Sequence, residues 1–230
     1  MAGKVTAIVL AAGKGSRMNS DTPKQYLTLL GKPVLFYSLQ AFEESNVDDV
    51  ILVTGSGEQE YCKKEIIEKY QIKKVAHIVE GGAERYHSVW HGLMAAEDTE
   101  YVLIHDGARP LISSQIINKA IAAVKETGAC VVGMPVKDTI QMVDEEQIIT
   151  STPDRSHTWI AQTPQCFSFE LAISSYNSAI ASGDTKITDD AMVIRKYGKV
   201  PVRMLEGSYE NIKVTTPEDI AVAECFLNQK

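Results

Sequence analysis

The segment Val5-Thr-Ala-Ile-Val-Leu10-Ala-Ala-Gly-Lys-Gly15-Ser-Arg17-Met18 reads as a buried strand running straight into a glycine turn. Val5 to Leu10 is almost continuously apolar and partly β-branched, the pattern of a strand covered on both faces. The small residues that follow let backbone N–H groups approach a ligand closely, and an open row of such groups makes a phosphate site. The dinucleotide fingerprint fails here because Met18 stands where its third glycine is needed, and no Gly-Lys-Ser/Thr completes a P-loop. This glycine turn is of another kind, and it brings cations of its own: Lys14, Arg17, Lys24 and Lys32.

Outward from this point the same alternation continues. Strands are expected at Val50 to Thr54, Val75 to Val79, Tyr101 to His105, Cys130 to Pro135 and Val200 to Leu205. Between them Val34 to Ser45, Glu58 to Tyr70, Glu84 to Glu97 and Ser114 to Thr127 carry apolar residues at helical spacing. Strand and helix in alternation predict an α/β, Rossmann-like, mostly parallel sheet with helices on both faces and ligands at the carboxyl ends of its strands. Asp138 to Thr152 breaks the rhythm: two alternating stretches flank the acidic turn Asp144-Glu145-Glu146, which predicts a protruding β-hairpin arm at about 137–154. An isolated hairpin is marginal in water, so the arm must lie on its own domain or on a partner subunit. Thr216 and Pro217 start the last helix as N-cap and first helical residue. With no internal repeat or linker, residues 1–230 read as one domain with an arm.

The composition, 230 residues with 44% hydrophobic and 23% charged, is that of a folded protein and excludes a disordered or collagen-like chain. No apolar run reaches membrane-span length. A net charge of -7 argues against nucleic-acid and anionic-membrane binding, and means that an anionic ligand must find cations gathered locally. Cys62, Cys130, Cys166 and Cys225 show no Cys-x-x-Cys spacing, which suits reduced thiols and a cytoplasmic location. The short apolar stretch at the start, interrupted by Thr6 and followed by Lys14, argues against a secretory leader. His87 and His91 have metal-pair spacing without a third ligand, so they read as residues of a helix face. Asp189-Asp190 after Thr188 reads as the acidic first turn of a helix.

Taken in order, several motifs carry a resemblance. Leu10 to Met18 is followed by Pro23-Lys24-Gln25-Tyr26-Leu27, then by Gly81-Gly82-Ala-Glu-Arg85-Tyr-His-Ser88-Val89. His105-Asp106-Gly107-Ala108-Arg109-Pro110 follows a strand, and Pro135-Val-Lys-Asp138-Thr139 opens the arm. Arg155, Trp159, Gln162-Thr163-Pro164-Gln165, Thr188-Asp189-Asp190 and Asn211-Ile-Lys213 through Asp219 complete the set. From about residue 4 to residue 226 the chain resembles the nucleotidyltransferases that activate sugar and polyol phosphates, most closely those that act on 2-C-methyl-D-erythritol 4-phosphate.

The resemblance implies an enzyme that joins CTP and 2-C-methyl-D-erythritol 4-phosphate, releasing pyrophosphate, in the non-mevalonate route to isoprenoid precursors. It implies Arg17, Lys24 and Lys213 as catalytic residues on the reacting phosphates. Arg155, Asp106, Arg109, Thr139 and Thr163 would bind the polyol phosphate, and Ala11, Ala12, Gly13, Lys14, Gly15, Gly82, Ala83 and Ser88 the nucleotide. Mg²⁺ or another divalent cation is expected, carried mainly by the CTP phosphates in the neighbourhood of Asp106 with no dedicated protein ligand set. A homodimer formed through the arm, with Arg155 reaching across from the partner, is also implied. Ala83 stands where many relatives carry a polar side chain, so only backbone can serve there. The alternatives are a ribitol 5-phosphate cytidylyltransferase and, from another class, a non-catalytic nucleotide-sensing module on the same fold.

Overall fold

The computed structural model describes residues 3–13 and 22–229. Its elements in chain order are β1 (Val5–Ala11), a short ribbon of β2 (Thr28–Leu29) and β3 (Lys32–Pro33), α1 (Val34–Glu43), β4 (Asp49–Thr54) and α2 (Gln59–Tyr61), which runs on as a π-helical turn. Then come β5 (Val75–Glu80), α3 (Arg85–Met94), β6 (Tyr101–Asp106), α4 (Ser114–Thr127) and β7 (Ala129–Pro135). The arm is β8 (Met142–Val143) and β9 (Ile149–Ser151). After it follow β10 (Trp159–Ser168), α5 (Phe169–Ser182), α6 (Asp190–Val193), β11 (Arg203–Glu206) and α7 (Pro217–Leu227).

Seven strands form one sheet in the order β11-β7-β10-β6-β1-β4-β5. All neighbours are parallel except β10, which runs antiparallel to both β6 and β7. The chain moves from β1 outward through β4 and β5, then returns to β6 on the other side of β1. The order therefore reverses between β1 and β6, which opens a crevice beyond their carboxyl ends.

The alternation along β1 divides the core. Val5, Ala7 and Val9 face Leu35, Leu39 and Phe42 of α1 and Ile117 and Ile121 of α4. Ile8 faces the opposite way, toward Val89 and Leu93 of α3 and Tyr176 of α5. A third cluster, built on Leu29, Val34, Leu111, Val214 and Ala223, seats α7. With helices on both faces, β1 and β4 are almost wholly buried, as their apolar runs require.

Local signals set the helix ends. Ser113 accepts from Ile116 N–H to cap α4, and Gly128 closes it with φ 72°. Thr216 and Asp219 form a capping box with Pro217 at the start of α7. The hairpin is present and its strands pair only with each other. Two differences from the sequence reading stand out. Pairing at the last strand covers Arg203–Glu206 rather than Val200 to Leu205, after Lys199 turns the chain at φ 55°. Strand β10 carries Pro164, which cannot donate to a ladder and so hides the strand in sequence; a register shift between Ala161 and Gln165 accommodates it.

Candidate active site

Beyond the carboxyl ends of β1 and β6 lies a cavity of about 670 Å³. Its walls come from five separate stretches: the end of β1 through Ala11, Ala12 and Gly13; Lys24 and Gln25; Gly82 to Arg85 with Ser88; Asp106 and Ala108; and Lys213.

Lys24 is aimed by its neighbours. It opens a single 3₁₀ turn after Pro23, and the two residues after it are buried. Gln25 Nε2 donates to the Ala11 carbonyl at 2.7 Å, and Tyr26 Oη donates to Glu58 at 2.7 Å. The turn is thereby pinned against β1 on one side and the β4–α2 connection on the other. Lys32, grouped with these cations in the sequence, instead stacks over Phe36 at 4.2 Å and takes no part in the cavity wall.

On the opposite wall the two glycines are required by closeness. A Cβ on Gly81 would come within 2.4 Å of Ala12 Cβ, and one on Gly82 within 2.4 Å of His87 Cβ. Gly82 N–H donates to Ser88 Oγ at 3.1 Å, which closes the turn over the start of α3. Ala83 is exposed at the cavity with no polar side chain to offer.

Asp106 ends β6 and sits on the cavity floor. Lys213 Nζ lies 2.8 Å from its Oδ2, Arg85 Nε 3.1 Å from Oδ1 and Arg109 Nε 3.9 Å from Oδ2. Burial alone would raise the pKa of this group, but Arg85, then Lys213 and Arg109, hold the carboxyl well below the usual carboxylate range. Lys213 arrives because residues 211–214 dock on the turn after β6. Arg109 Nη1 donates to the Asn211 carbonyl at 2.8 Å, and Val214 N–H donates to the Ala108 carbonyl at 2.8 Å. Asn211, fully buried, donates to Gln162 and to the Thr163 carbonyl.

Thr163 is buried behind Asp106 and does not line the cavity. Its Oγ1 accepts from Asp106 N–H at 3.1 Å and meets His105 Nδ1 at 3.0 Å. His105 is fully buried and packs edge-on against Phe42; burial pushes its pKa down to about 3. A histidine depressed from 6.5 takes up its proton in the unfolded chain first, so folding loses stability as pH falls below 6.5, continuing toward 3. At pH 5.5 this amounts to about 1.4 kcal/mol. Urea unfolding at pH 7.5 and 5.5 should show that component in the wild type and lack it in His105→Gln; equal pH slopes would disprove it.

In 2-C-methyl-D-erythritol 4-phosphate cytidylyltransferase (IspD), a family model matches residues 5–229 of this sequence. The chain belongs to this family. A relative in Lachnoclostridium phytofermentans, named for the same activity, is 50% identical over 226 residues, covering 98% of this chain and 97% of its own. Another in Alkaliphilus oremlandii is 46% identical, covering 99% and 96%. The crystal structure of 4-diphosphocytidyl-2C-methyl-D-erythritol synthase from Anaerococcus prevotii is similar with a TM-score of 0.87 at 33% identity, covering 98% of this chain and 96% of that one. The Thermus thermophilus cytidylyltransferase gives 0.78 at 29%, covering 96% and 98%.

For a member of this cytidylyltransferase family, the structure gathers Lys24, Asp106, Lys213, Ala11 to Gly13, Gly82, Ala83 and Ser88 around one cavity, with Arg109 just behind. Lys14, Gly15 and Arg17 lie outside the described residues. Thr139 and Arg155 are exposed on and beside the arm, and neither lines the cavity. Helix α6 does start at Asp189-Asp190, but Asp189 is its N-cap, accepting from Met192 N–H, rather than part of its first turn, and Asp190 does more than supply an acidic first turn. It is fully buried and holds Arg85 by two bonds, at 2.6 and 2.8 Å. Arg85, Gln25 and Asn211 are the residues that sequence reasoning did not assign. For Arg85, the signal was a cation inside the Gly-Gly-Ala-Glu-Arg stretch of an acidic chain.

Proposed function

We propose that the protein transfers the cytidylyl group of CTP to 2-C-methyl-D-erythritol 4-phosphate, giving 4-diphosphocytidyl-2-C-methyl-D-erythritol and pyrophosphate for isoprenoid precursor synthesis. The observation that carries this reading is the cavity at the strand-order reversal, where Lys24 and Lys213 meet Ala11 to Gly13 on one side and Gly82 to Arg85 on the other.

The polyol phosphate supplies an oxygen nucleophile to the α-phosphorus; a new P–O bond forms there as the bond to pyrophosphate breaks. Two anions must meet, so fixed cations near the α-phosphate do most of the work, and no side-chain nucleophile is needed. Lys24, together with Arg17, would neutralise charge developing on the triphosphate, and Lys213 would hold the phosphates in line. Ala11 to Gly13 and Gly82 to Ser88 would read the cytidine through backbone donors and acceptors. Asp106 and Arg109 would orient the polyol.

Among the described residues, no three His, Cys, Asp or Glu side chains gather as a metal-holding group, and Asp106 already has Arg85 and Lys213 on its two oxygens. That arrangement fits a divalent cation carried by the CTP phosphates rather than a protein cage. When bound, Mg²⁺ would neutralise part of the triphosphate charge.

The arm supports a homodimer. Ile140, Met142, Val143, Ile148 and Ile149 are between 37% and 61% exposed on it, an apolar face that a second copy would cover. Arg155 and Thr139 would then reach the partner's cavity to hold the substrate phosphate. A cytoplasmic location suits the buried free thiols of Cys62, Cys130 and Cys166, and no helix of the described residues is long and apolar enough to cross a membrane.

The deciding experiment is pyrophosphate release from CTP and Mg²⁺ with each acceptor offered separately. Release with methylerythritol phosphate and not with ribitol 5-phosphate is expected. Release with ribitol 5-phosphate alone would transfer the protein to the alternative substrate, and release with neither would leave a nucleotide sensor.

A further inference from the structure

The most deeply buried carboxylate near the cavity has no role in the chemistry proposed above. Asp190 is the first helical residue of α6, but the helix is already capped by Asp189, and an exposed first-turn acid would serve the helix equally. Asp190 is instead fully buried, beneath the equally buried Tyr176, whose hydroxyl donates to Asp190 Oδ1. A buried charge is costly unless its partners are complete. Here they are: Arg85 Nη1 and Nη2 take the two carboxylate oxygens in a fork, and that fork fixes the plane of the guanidinium. Arg85 Nε is left aimed at Asp106 Oδ1, while Lys213 occupies Oδ2.

We infer that Arg85 is a positioning residue for the phosphate-binding lysine: clamped from behind by Asp190 and Tyr176, it shares the charge of Asp106 with Lys213 and leaves the Lys213 ammonium available to an anionic ligand. The ion pairs support this. Among the described residues Arg85, Lys213 and Arg109 make theirs with Asp106 and Asp190, three cations on two carboxylates, which leaves one positive charge without an ion-pair partner of its own. Lys213, with 35% of its side chain exposed against 29% for Arg85 and 12% for Arg109, is where that charge meets the cavity. Without Arg85, Lys213 would face a more fully charged carboxylate and would have to be drawn off it before reaching a phosphate. The role rests on the nucleotide-binding reading of the cavity and deepens it.

The test is calorimetric binding of CTP in the presence of Mg²⁺ to the wild type, Arg85→Gln, Asp106→Asn and the double variant. Arg85→Gln should weaken CTP about 10-fold in the wild-type background and less than about 2-fold once Asp106 is gone, because the effect travels through that carboxylate. A merely structural role would cost the same factor in both backgrounds, and that result, or no loss at all, overturns the inference. If Arg85→Gln fails to fold because Asp190 is stranded, Arg85→Gln combined with Asp190→Asn removes both charges and carries the same comparison. The cycle is independent of the acceptor: a wild type that binds CTP but releases no pyrophosphate with methylerythritol phosphate would overturn the proposed reaction while the binding cycle still decides the role of Arg85. A wild type that does not bind CTP overturns both.

Discussion

Lys213→Ala should lower kcat/KM for pyrophosphate release by about 10³-fold, roughly 4 kcal/mol of transition-state stabilisation, while leaving the melting temperature nearly unchanged. The size follows from position. The ammonium stands 2.8 Å from Asp106 at the edge of the cavity, where the surrounding protein limits solvent screening. Removing it takes a cation from the phosphates and also leaves Asp106 with less compensation, so the wall becomes more repulsive to an incoming anion. Stability should hold because Arg85 and Arg109 still face Asp106, and Lys213 is the most exposed of its three partners. Lys213→Arg should recover part of the loss, since charge is kept while the point contact is not. Steady-state rates beside thermal melts decide it. A loss of activity that tracks a fall in melting temperature would mean the residue only holds the fold together.

Equal co-expression of Lys24→Ala and Arg155→Ala, each nearly inactive alone, should yield about a quarter of wild-type activity if a symmetric dimer exchanges arms. Random pairing makes half of the dimers mixed. In each mixed dimer one cavity carries both defects and the other carries none, so half of those sites work. The motivation is geometric: Lys24 lines the cavity, whereas Arg155 is exposed at the base of the arm and does not. The arm itself is held at its root, where Lys137 stacks over Tyr209 at 3.6 Å and Tyr209 Oη donates to the Pro135 carbonyl at 2.9 Å. The unfractionated mixture is assayed for the quarter, and tagged chains purified as mixed dimers should reach about half of wild-type activity. Mixed dimers as inactive as their parents would place Arg155 in the same chain's cavity, and an Arg155→Ala protein that is active alone would place it outside the working site.

Much of this molecule is legible residue by residue. The apolar run of β1, the helical spacing and caps of α4 and α7, and the alternation in the arm are all local patterns. Each depends on neighbours a few positions away, through a strand's period of two, a helix's period of 3.6 or a side chain bonding its own helix start. The grouping of motifs was legible too, since the residues beyond strand ends must converge in a parallel sheet. The insertion of β10 was not. Its Pro164 argues locally against a ladder, and only the gap between β6 and β7 makes room for an antiparallel strand with a shifted register.

The charges divide the same way. That Lys24 belongs with a group of cations after β1 could be read from where they stand in an acidic chain, whereas Lys213 was pointed to only by the resemblance. That Asp190 pairs with Arg85, 105 positions away, could not, because its sequence context describes an acidic helix start equally well. Sequence alone determined the strand–helix rhythm, the turns and the residue types at their ends, because these are decided by short-range backbone and side-chain preferences. The tertiary structure decided which carboxylate faces which cation and which side chains reach the cavity, because burial and Coulomb energy depend on distance in space and on the water that the fold excludes.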